Sequence, residues 1–515
     1  MTDFYVDLTN GTDGTNATTV HDGKREPTAT NYTAIASTDA THVYIAQGAL
    51  DNDTDDNYNG DFLYNVTRSA GALISDYDAD DGGGNSVLTT GSIASQASGD
   101  TFFILRALKT IEKFTSTGDA RTAGDTCYVR ANTTETVGAA DIAFDEDGTA
   151  AAILKVIGCD ATTNDPWDDN SNTKPIIDFN GGAYQFITGG DDYWELNRLA
   201  IRNSSDTTGN FAHGTSRLWR LVDCKFYDTV GTGSAVAGLN ISGRCQAYLS
   251  GCEFVDNNTM NVMVASGSLA RFDTCTFNGG AGGTTTGVVV RGAEAYFDGC
   301  SFGVTTAHAT TDLAIDSSQV WLRNCTLTTL PAASAFGANG GGQLFWEDCT
   351  MPNSWASTGH ANYHWLVQQE TTAVRAGGGA VSAKVLPLAS GGTGGAYAPM
   401  SLAGNYGFLA RPIQLWGVAD TSYTVTVYIR PIDAWATYPV ASNLWLEASY
   451  LDHATNHTRT TVKSNDVLTG NDGSTWVAYD VTFQPAQTGP IYLDVVMTAY
   501  EATKGIYVDL TPVVS

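Results

Sequence analysis

Between residues 219 and 350 the chain repeats one short phrase six times: LVDCKF at Cys224, LSGCEF at Cys252, FDTCTF at Cys275, FDGCSF at Cys300, LRNCTL at Cys325 and WEDCTM at Cys349. The steps between the cysteines are 28, 23, 25, 25 and 24 residues. A near-constant period of this length, on segments that alternate apolar and polar residues, marks a solenoid: one coil cannot bury its apolar face alone and must stack on the next. Aligning residues 287–302 (GVVVRGAEAYFDGCSF) with 261–277 and 312–327 gives strand, glycine turn, strand, tight turn, strand in each coil. Three short strands per coil, with no helical period between them and no leucine/asparagine repeat consensus, predict a parallel β-helix. The alignment assigns Val289, Ala295, Phe297, Cys300 and Phe302 to inward positions. It also puts Leu199 in the cysteine slot, 25 residues before Cys224.

Equivalent positions in such a solenoid stack about 4.8 Å apart with side chains pointing the same way, which is poor disulfide geometry. Cys224, Cys252, Cys275, Cys300, Cys325 and Cys349 are therefore expected to form a structural ladder of buried thiols packed as small apolar groups. Zinc would need ligand knuckles converging on one point; no CxxC pair occurs, and the total of nine cysteines is odd.

A chain of 515 residues accommodates two or three domains. With 55 glycines, 13 prolines and turns filled by Thr, Ser and Asn, its composition is that of an all-β protein. A net charge of −29 repels phosphate backbones, which argues against nucleic-acid partners. There is no apolar run of eighteen residues and no basic-then-apolar start, so neither a membrane span nor a secretory signal is expected.

The opening MTDFYVDLTNGTDG and the later ALKTIEKFTSTGDARTAGDTCYVRAN (107–132) resemble, together, the split opening signature of pectate-lyase-like right-handed β-helix proteins. The matching residues are Tyr5, Val6, Gly11 and Asp13, then Thr110, Ile111, Gly124, Asp125, Thr126, Tyr128 and Val129. Residues 15–100 separate pieces that lie close together in the family, so the chain resembles it with a large insertion. Bacteriophage spike, fibre and decoration proteins often carry such openings. The resemblance implies a right-handed β-helix, a homotrimer, and a place on a virion beside other capsid or tail proteins. A virion released by lysis also accommodates an extracellular-type module without an export signal. Phe103, Leu105, Leu108, Ile111 and Phe114 form an apolar stripe that predicts a capping helix near 103–116, ended by Gly118.

Three places invite a chemical reading. In the insertion, Asp51, Asp53, Asp55 and Asp61 have the alternating oxygen spacing of a calcium loop, although Gly60 is misplaced for an EF-hand and no Glu closes it. The alternative is a solvated acidic loop, as for the second cluster at 76–85. In the irregular coils of 136–217, Asp191 and Asp192 with nearby His213 are the candidates for acid–base work, although the full motif set of polygalacturonases is missing. The outward faces of the regular coils read as Ser, Thr, Asn, Gly and isolated charges, with no His/Lys/Asp cluster recurring on successive coils. From 371 onward, seven longer alternating strands predict an antiparallel, jelly-roll-like β-sandwich resembling appended carbohydrate-binding modules. There Trp416, Trp435, Trp445 and Trp476 are candidates for sugar stacking, or else fill the core.

The expected organisation is thus an N-terminal strand with an acidic insertion (1–100), a β-helix (101–370) and a sandwich (371–515). The leading expectation is a structural virion protein, either a capsid decoration or a tail spike or fibre, that touches host polysaccharide. The alternatives are a polysaccharide lyase or glycoside hydrolase, and a non-catalytic glycan-binding adhesin. No cofactor is expected, apart from calcium if the acidic loop binds one.

Overall fold

The computed structural model describes residues 3–9, 11, 25–26, 31–35, 38–50, 58–115, 121–159, 173–188, 191–214, 218–233, 235–280, 284, 286–329, 342–352, 359–362, 365–378, 380–387, 413–432, 444–452, 458–464, 474–497, 506–509, 511 and 513–515. It divides into two compact units, Met1–Thr285 and Thr286–Ser515.

In the first unit, three parallel sheets wind around an apolar interior. The first sheet stacks Asp3–Val6, Thr126–Val129, Leu154–Gly158, Trp194–Asn197, Trp219–Val222, Gln246–Ser250 and Leu269–Asp273. The second runs Thr134–Thr136, Ile176–Asp178, Ala200–Arg202, Lys225–Tyr227, Glu253–Val255 and Thr276–Asn278. The third runs Ile142–Phe144, Phe186–Thr188, Gly209–Gly214, Ala237–Ser242 and Met260–Ala265. Alternation along the second-sheet strands sends one set of side chains inward. Phe226, Phe254 and Phe277 therefore stack face to face, with centroids 5.2 and 5.1 Å apart.

The bend from first to second sheet is the same in four successive coils of this unit. One residue takes the left-handed backbone: Arg198 (φ 58°), Asp223 (49°), Gly251 (63°) and Thr274 (53°). The next residue fills the buried slot, and these are Leu199, Cys224, Cys252 and Cys275. Each thiol donates back to the carbonyl two residues earlier, at 3.4 Å for Cys224, 3.6 Å for Cys252 and 3.5 Å for Cys275. The left-handed residue's N–H meanwhile donates to the adjacent coil, as from Asp223 to Ser250 O at 2.8 Å and from Gly251 to Asp273 O at 3.0 Å. All nine cysteines are buried, and none forms a disulfide.

The split opening is one structural unit. Asp3–Val6 forms the first rung against Thr126–Val129, with Tyr5 stacked on Tyr128 at 5.7 Å. The chain then leaves and returns: Asp7 N donates to Leu108 O and Leu108 N to Tyr5 O, both at 2.9 Å. Arg130 holds the buried Asp7 carboxylate at 2.8 Å. Between these anchors lies an antiparallel sheet, ordered Arg25–Glu26, Thr101–Leu105, Phe62–Asn65, Ala70–Asp78, Asn85–Thr90, His42–Ala46, with its own apolar core.

That pairing shortens the expected helix. Phe103 and Leu105 lie on the strand Thr101–Leu105, whose backbone is taken by Phe62–Asn65, and Leu108 bridges Val6. The helix spans only Ile111–Thr115; Gly118 falls outside the described residues. Phe114 nonetheless covers the apolar interior, 5.3 Å from Phe4 and 6.1 Å from Trp194. Arg121 takes up carbonyls left over at the helix end, donating to Phe114 O and Lys113 O.

The second unit repeats the coil plan in Thr286–Arg291, Glu294–Asp298, Ser301–Phe302, Thr311–Asp316, Gln319–Arg323, Thr326–Leu327 and Gln343–Glu347. The turn is conserved in kind: Gly299, Asn324 and Asp348 are left-handed, and the thiols of Cys300, Cys325 and Cys349 donate to carbonyls two residues back at 3.5, 3.2 and 3.3 Å. One inward assignment is corrected. Val288 and Val290 are buried and Val289 is half-exposed, because the strand pairs Val288 with the buried Leu313 and Val290 with the buried Ile315.

The strand Gln343–Glu347 pairs in parallel with Gln319–Arg323 and antiparallel with Gly359–Asn362. Pairing continues through Trp365–Glu370, Ser382–Pro387 and Ile506–Asp509 into an antiparallel sheet with Tyr423–Pro431 and Val477–Phe483. A four-stranded sheet, Ile413–Gly417, Gly489–Met497, Leu444–Asp452 and Thr458–Lys463, contributes to the same apolar core. The expected boundary at 371 thus falls between two strands hydrogen-bonded to each other.

Two outcomes follow from this architecture. Phe254→Ala empties a position packed on both faces and is expected to cost about 3–5 kcal/mol, read as a lower denaturant midpoint, while the outward Tyr248→Ala changes it little. A chain ended after residue 352 leaves the edge of Gln343–Glu347 without its antiparallel partner and is expected to aggregate; size-exclusion chromatography showing a clean, folded species would contradict this role for the C-terminal strands.

Candidate functional site

The second sheet of the first unit turns Ile177, Ile201, Phe226, Phe254 and Phe277 inward. The alternate positions face out, half-buried, and carry Asp178, Arg202, Lys225, Tyr227, Glu253 and Val255 on four successive coils. Just past three of these strands, Asn203, Asp228 and Asp256 share the left-handed backbone at φ 63°, 55° and 55°. The charges interlock. Arg202 donates to Asp178 Oδ2 at 2.8–2.9 Å, while Asn203 Nδ2 and Asn180 N donate to Oδ1 at 2.9 and 2.8 Å. Lys225 Nζ lies 3.1 Å from Glu253 Oε1. The cationic groups of Lys225 and Arg202 sit 5.2 and 5.7 Å from the Tyr227 ring.

This packing separates the carboxyl groups. Burial alone would push Asp178 up, but the hydrogen bonds from Asn203, Asn180 and Arg202 outweigh it and hold the group below the usual carboxylate range. Burial, and then the neighbouring charge of Asp256, pushes Asp228 above that range. Burial likewise raises the Tyr227 phenol. The result is a strip of fixed donors and acceptors in which Asp228 and Asp178 are shifted in opposite directions, the arrangement by which acid and base roles are divided. This corrects the reading that no charged cluster recurs on successive coils. The signal was present: the repeat, read past the cysteine, runs CKFYD at 224–228 and CEFVD at 252–256, with the outward residues one, three and four places on.

The residues singled out from sequence lie elsewhere. His213 points inward on Gly209–Gly214, 2 % exposed, with its ring 5.4 Å from that of Trp219. Burial lowers its pKa to about 4; no substrate reaches it. Asp191 and Asp192 serve the turn before Trp194: Asp191 O accepts from Trp219 Nε1 at 3.0 Å, and Asp192 N donates to Asp147 Oδ1 at 2.7 Å. Asp61 is not on a solvated loop but in a buried ion cluster, 3.6 Å from Arg106, which also contacts Glu26 at 3.3 Å. Asp51, Asp53 and Asp55 lie outside the described residues, and among the described residues no group of three His, Cys, Asp or Glu is placed to hold a metal.

In the second unit, Trp416 is 67 % exposed on Ile413–Gly417, so it does not fill the core. Trp476 is half-buried beneath the Arg430 guanidinium at 5.4 Å. Trp445 stands opposite Val496 in the four-stranded sheet, and Trp435 lies outside the described residues.

No family model matches the chain, and no curated protein does. Among solved structures it is similar to the pectate lyase Pel9A, at 11 % identity and a TM-score of 0.26, over 45 % of this chain and 70 % of that one. It is similar to the enzymatically active domain of tailspike protein 2 from bacteriophage CBA120, at 12 % identity and 0.24, over 76 % and 65 %. It is also similar to the tailspike protein gp49 of Acinetobacter baumannii bacteriophage Fri1, a capsular polysaccharide depolymerase, at 11 % and 0.20, over 74 % and 81 %. Likenesses this slight add no argument to the strand pairing described above, which by itself makes the chain a parallel β-helix.

The buried imidazole gives a pH dependence with a definite sign. His213 is held neutral in the fold and protonates in the unfolded chain, so its contribution is complete above about 6.5 and is lost as pH falls towards about 4. The full shift corresponds to at most ~3 kcal/mol. The denaturant midpoint is expected to fall between about pH 7 and about pH 5, and His213→Phe to flatten that part of the profile.

Proposed function

We propose that the chain is a virion appendage protein, borne on capsid or tail as a homotrimer, that holds host surface polysaccharide along the outward second-sheet face of its first unit. The observation that carries this reading is the interlocked strip of Asp178, Arg202, Lys225, Tyr227, Asp228, Glu253 and Asp256. A polyhydroxylated chain needs closely spaced donors and acceptors held rigid before it arrives, and paired side chains on hydrogen-bonded rungs supply them without a loop closing. The virion assignment rests on the opening signature, whose two pieces meet in one rung around Tyr5 and Tyr128. An adhesin role for the C-terminal strands has one specific support, the solvent-facing ring of Trp416. Cleavage of the bound polymer is a further reading, supported by the raised Asp228 carboxyl.

Calorimetry of the full chain against purified host capsular and O-antigen polysaccharides tests the assignment. Arg202→Ala with Lys225→Ala is expected to weaken binding about tenfold or more, with Trp416→Ala altering it less. Wild-type binding unchanged in the double variant would move the site elsewhere, and no binding to any host polymer would overturn the reading. Sedimentation equilibrium is expected to give the mass of three chains.

A further inference from the structure

The antiparallel sheet of the second unit turns Ala383, Val385, Ile429, Ile506 and Val508 into its core. The alternate positions face away from that core, and the register lines them up. Gln368 stands opposite Lys384, Lys384 opposite Tyr507, and Tyr507 opposite Arg430. Trp476 extends the row, because the next residue, Val477, stands opposite Ile429. Neighbouring strands lie about 4.8 Å apart, so the row is roughly 19 Å long, with the backbones of its two cations about 10 Å apart.

The row is built to donate. Lys384, Arg430 and Trp476 carry only hydrogen-bond donors, and no carboxylate interrupts them. The Arg430 guanidinium is braced by two rings, 4.7 Å from the centre of Tyr507 and 5.4 Å from that of Trp476. Stacking of this kind fixes the planar fork and leaves its N–H edge for a ligand. Among the described residues, Arg430 Nε is shielded from water and has no acceptor. At the far end of the row Gln368 is 3 % exposed, and its Nε2 has none either. Donors sealed away without an acceptor are costly. The carboxylates at the ends of two of these strands are engaged elsewhere. Asp509 holds Arg375 at 2.6 Å and accepts from Thr511 N at 3.0 Å. Glu370 lies near enough to Lys384 for their charges to interact, but its Oε1 accepts from Thr372 N at 2.7 Å and Ala373 N at 3.3 Å.

We infer that this row binds an extended acidic peptide segment of another polypeptide, one carboxylate on the Arg430 fork and a second on Lys384. The peptide's backbone carbonyls supply acceptors for the neutral donors of the row. A compact anion fills only a fraction of a row this long. A sugar polymer brings hydroxyls that must donate as well as accept, and the row offers them few acceptors. The chain as a whole, at −29, repels an acidic segment, so attraction has to come from the row itself. The row lies on a different unit and sheet from the strip that carries the proposed polysaccharide site, and does not depend on it.

The test follows fluorescein-labelled hexaglutamate by fluorescence anisotropy as full chain is added at low ionic strength. Hexaglutamate is expected to bind and labelled hexaglutamine not to, and added salt to weaken the complex. Arg430→Gln and Lys384→Gln are each expected to weaken binding about tenfold or more. Arg430→Lys is expected to stay weak, since an ammonium keeps the charge but lacks the fork. The two positions lie on different strands, and circular dichroism identifies a variant that has failed to fold, so the other still decides. No binding by the wild-type chain, or equal binding by the folded Gln variants, would overturn the assignment. So would citrate or polygalacturonate displacing the label at lower concentration than unlabelled hexaglutamate does, because the row would then serve a compact acid or an acidic sugar polymer.

Discussion

The regular coils depend on a bend in which a left-handed residue is followed by a fully buried side chain. The carbonyl two residues before the slot accepts the N–H of the left-handed residue one coil earlier, as Ser250 O does from Asp223 and Asp273 O from Gly251, so the backbone itself locks each bend to its neighbour. A thiol fills a small apolar volume and carries one weak donor. Cys224, Cys252, Cys275, Cys300, Cys325 and Cys349 recur there as buried groups, each with its sulfur 3.2–3.6 Å from that carbonyl as a second, weaker contact. The preceding residue must tolerate positive φ, so it is Asp, Gly, Thr, Gly, Asn and Asp in turn. Where the slot is Leu199 the bend persists, so the backbone conformation, more than the sulfur, defines the coil.

This is why the coils were legible and other parts were not. A slot with one acceptable size and one acceptable backbone repeats visibly. The strands of 287–291 have three consecutive valines, which alternation cannot rank, and the alignment chose Val289 where Val288 and Val290 are the buried pair. The stripe from Phe103 to Phe114 satisfied a helical spacing, but Phe103 and Leu105 were claimed by a strand partner at residues 62–65. Pairing partners forty residues away leave no local trace. The same holds for the boundary at 371: composition changes there, yet the hydrogen bonds between Trp365–Glu370 and Ser382–Pro387 cross it.

The outward strip of charged residues was hidden for a different reason. Inward residues are chosen by volume and so recur; outward residues are free to differ from coil to coil. Lys225 and Glu253 occupy one column and pair, and Tyr227 and Val255 occupy the next. Nothing repeats between Tyr and Val, and a search for identical residues passes over them. Only the register set by the cysteine slot shows that Asp228 and Asp256 lie side by side.

The same register determines what kind of site this is. Side chains carried on loops are positioned by whatever packs against the loop, whereas these are positioned by ladders of backbone hydrogen bonds and by the Phe226–Phe254–Phe277 stack beneath them. A strip of this kind cannot close over a ligand. Its selectivity has to come from spacing fixed in advance, and the spacing is that of the rungs. A ligand that fits is one whose own repeat can be matched to rungs about 4.8 Å apart, and an extended polymer is better suited to that than a compact metabolite. The coil also sets the surroundings of Asp228: burial, and then the charge of Asp256 on the next rung, raises its affinity for a proton.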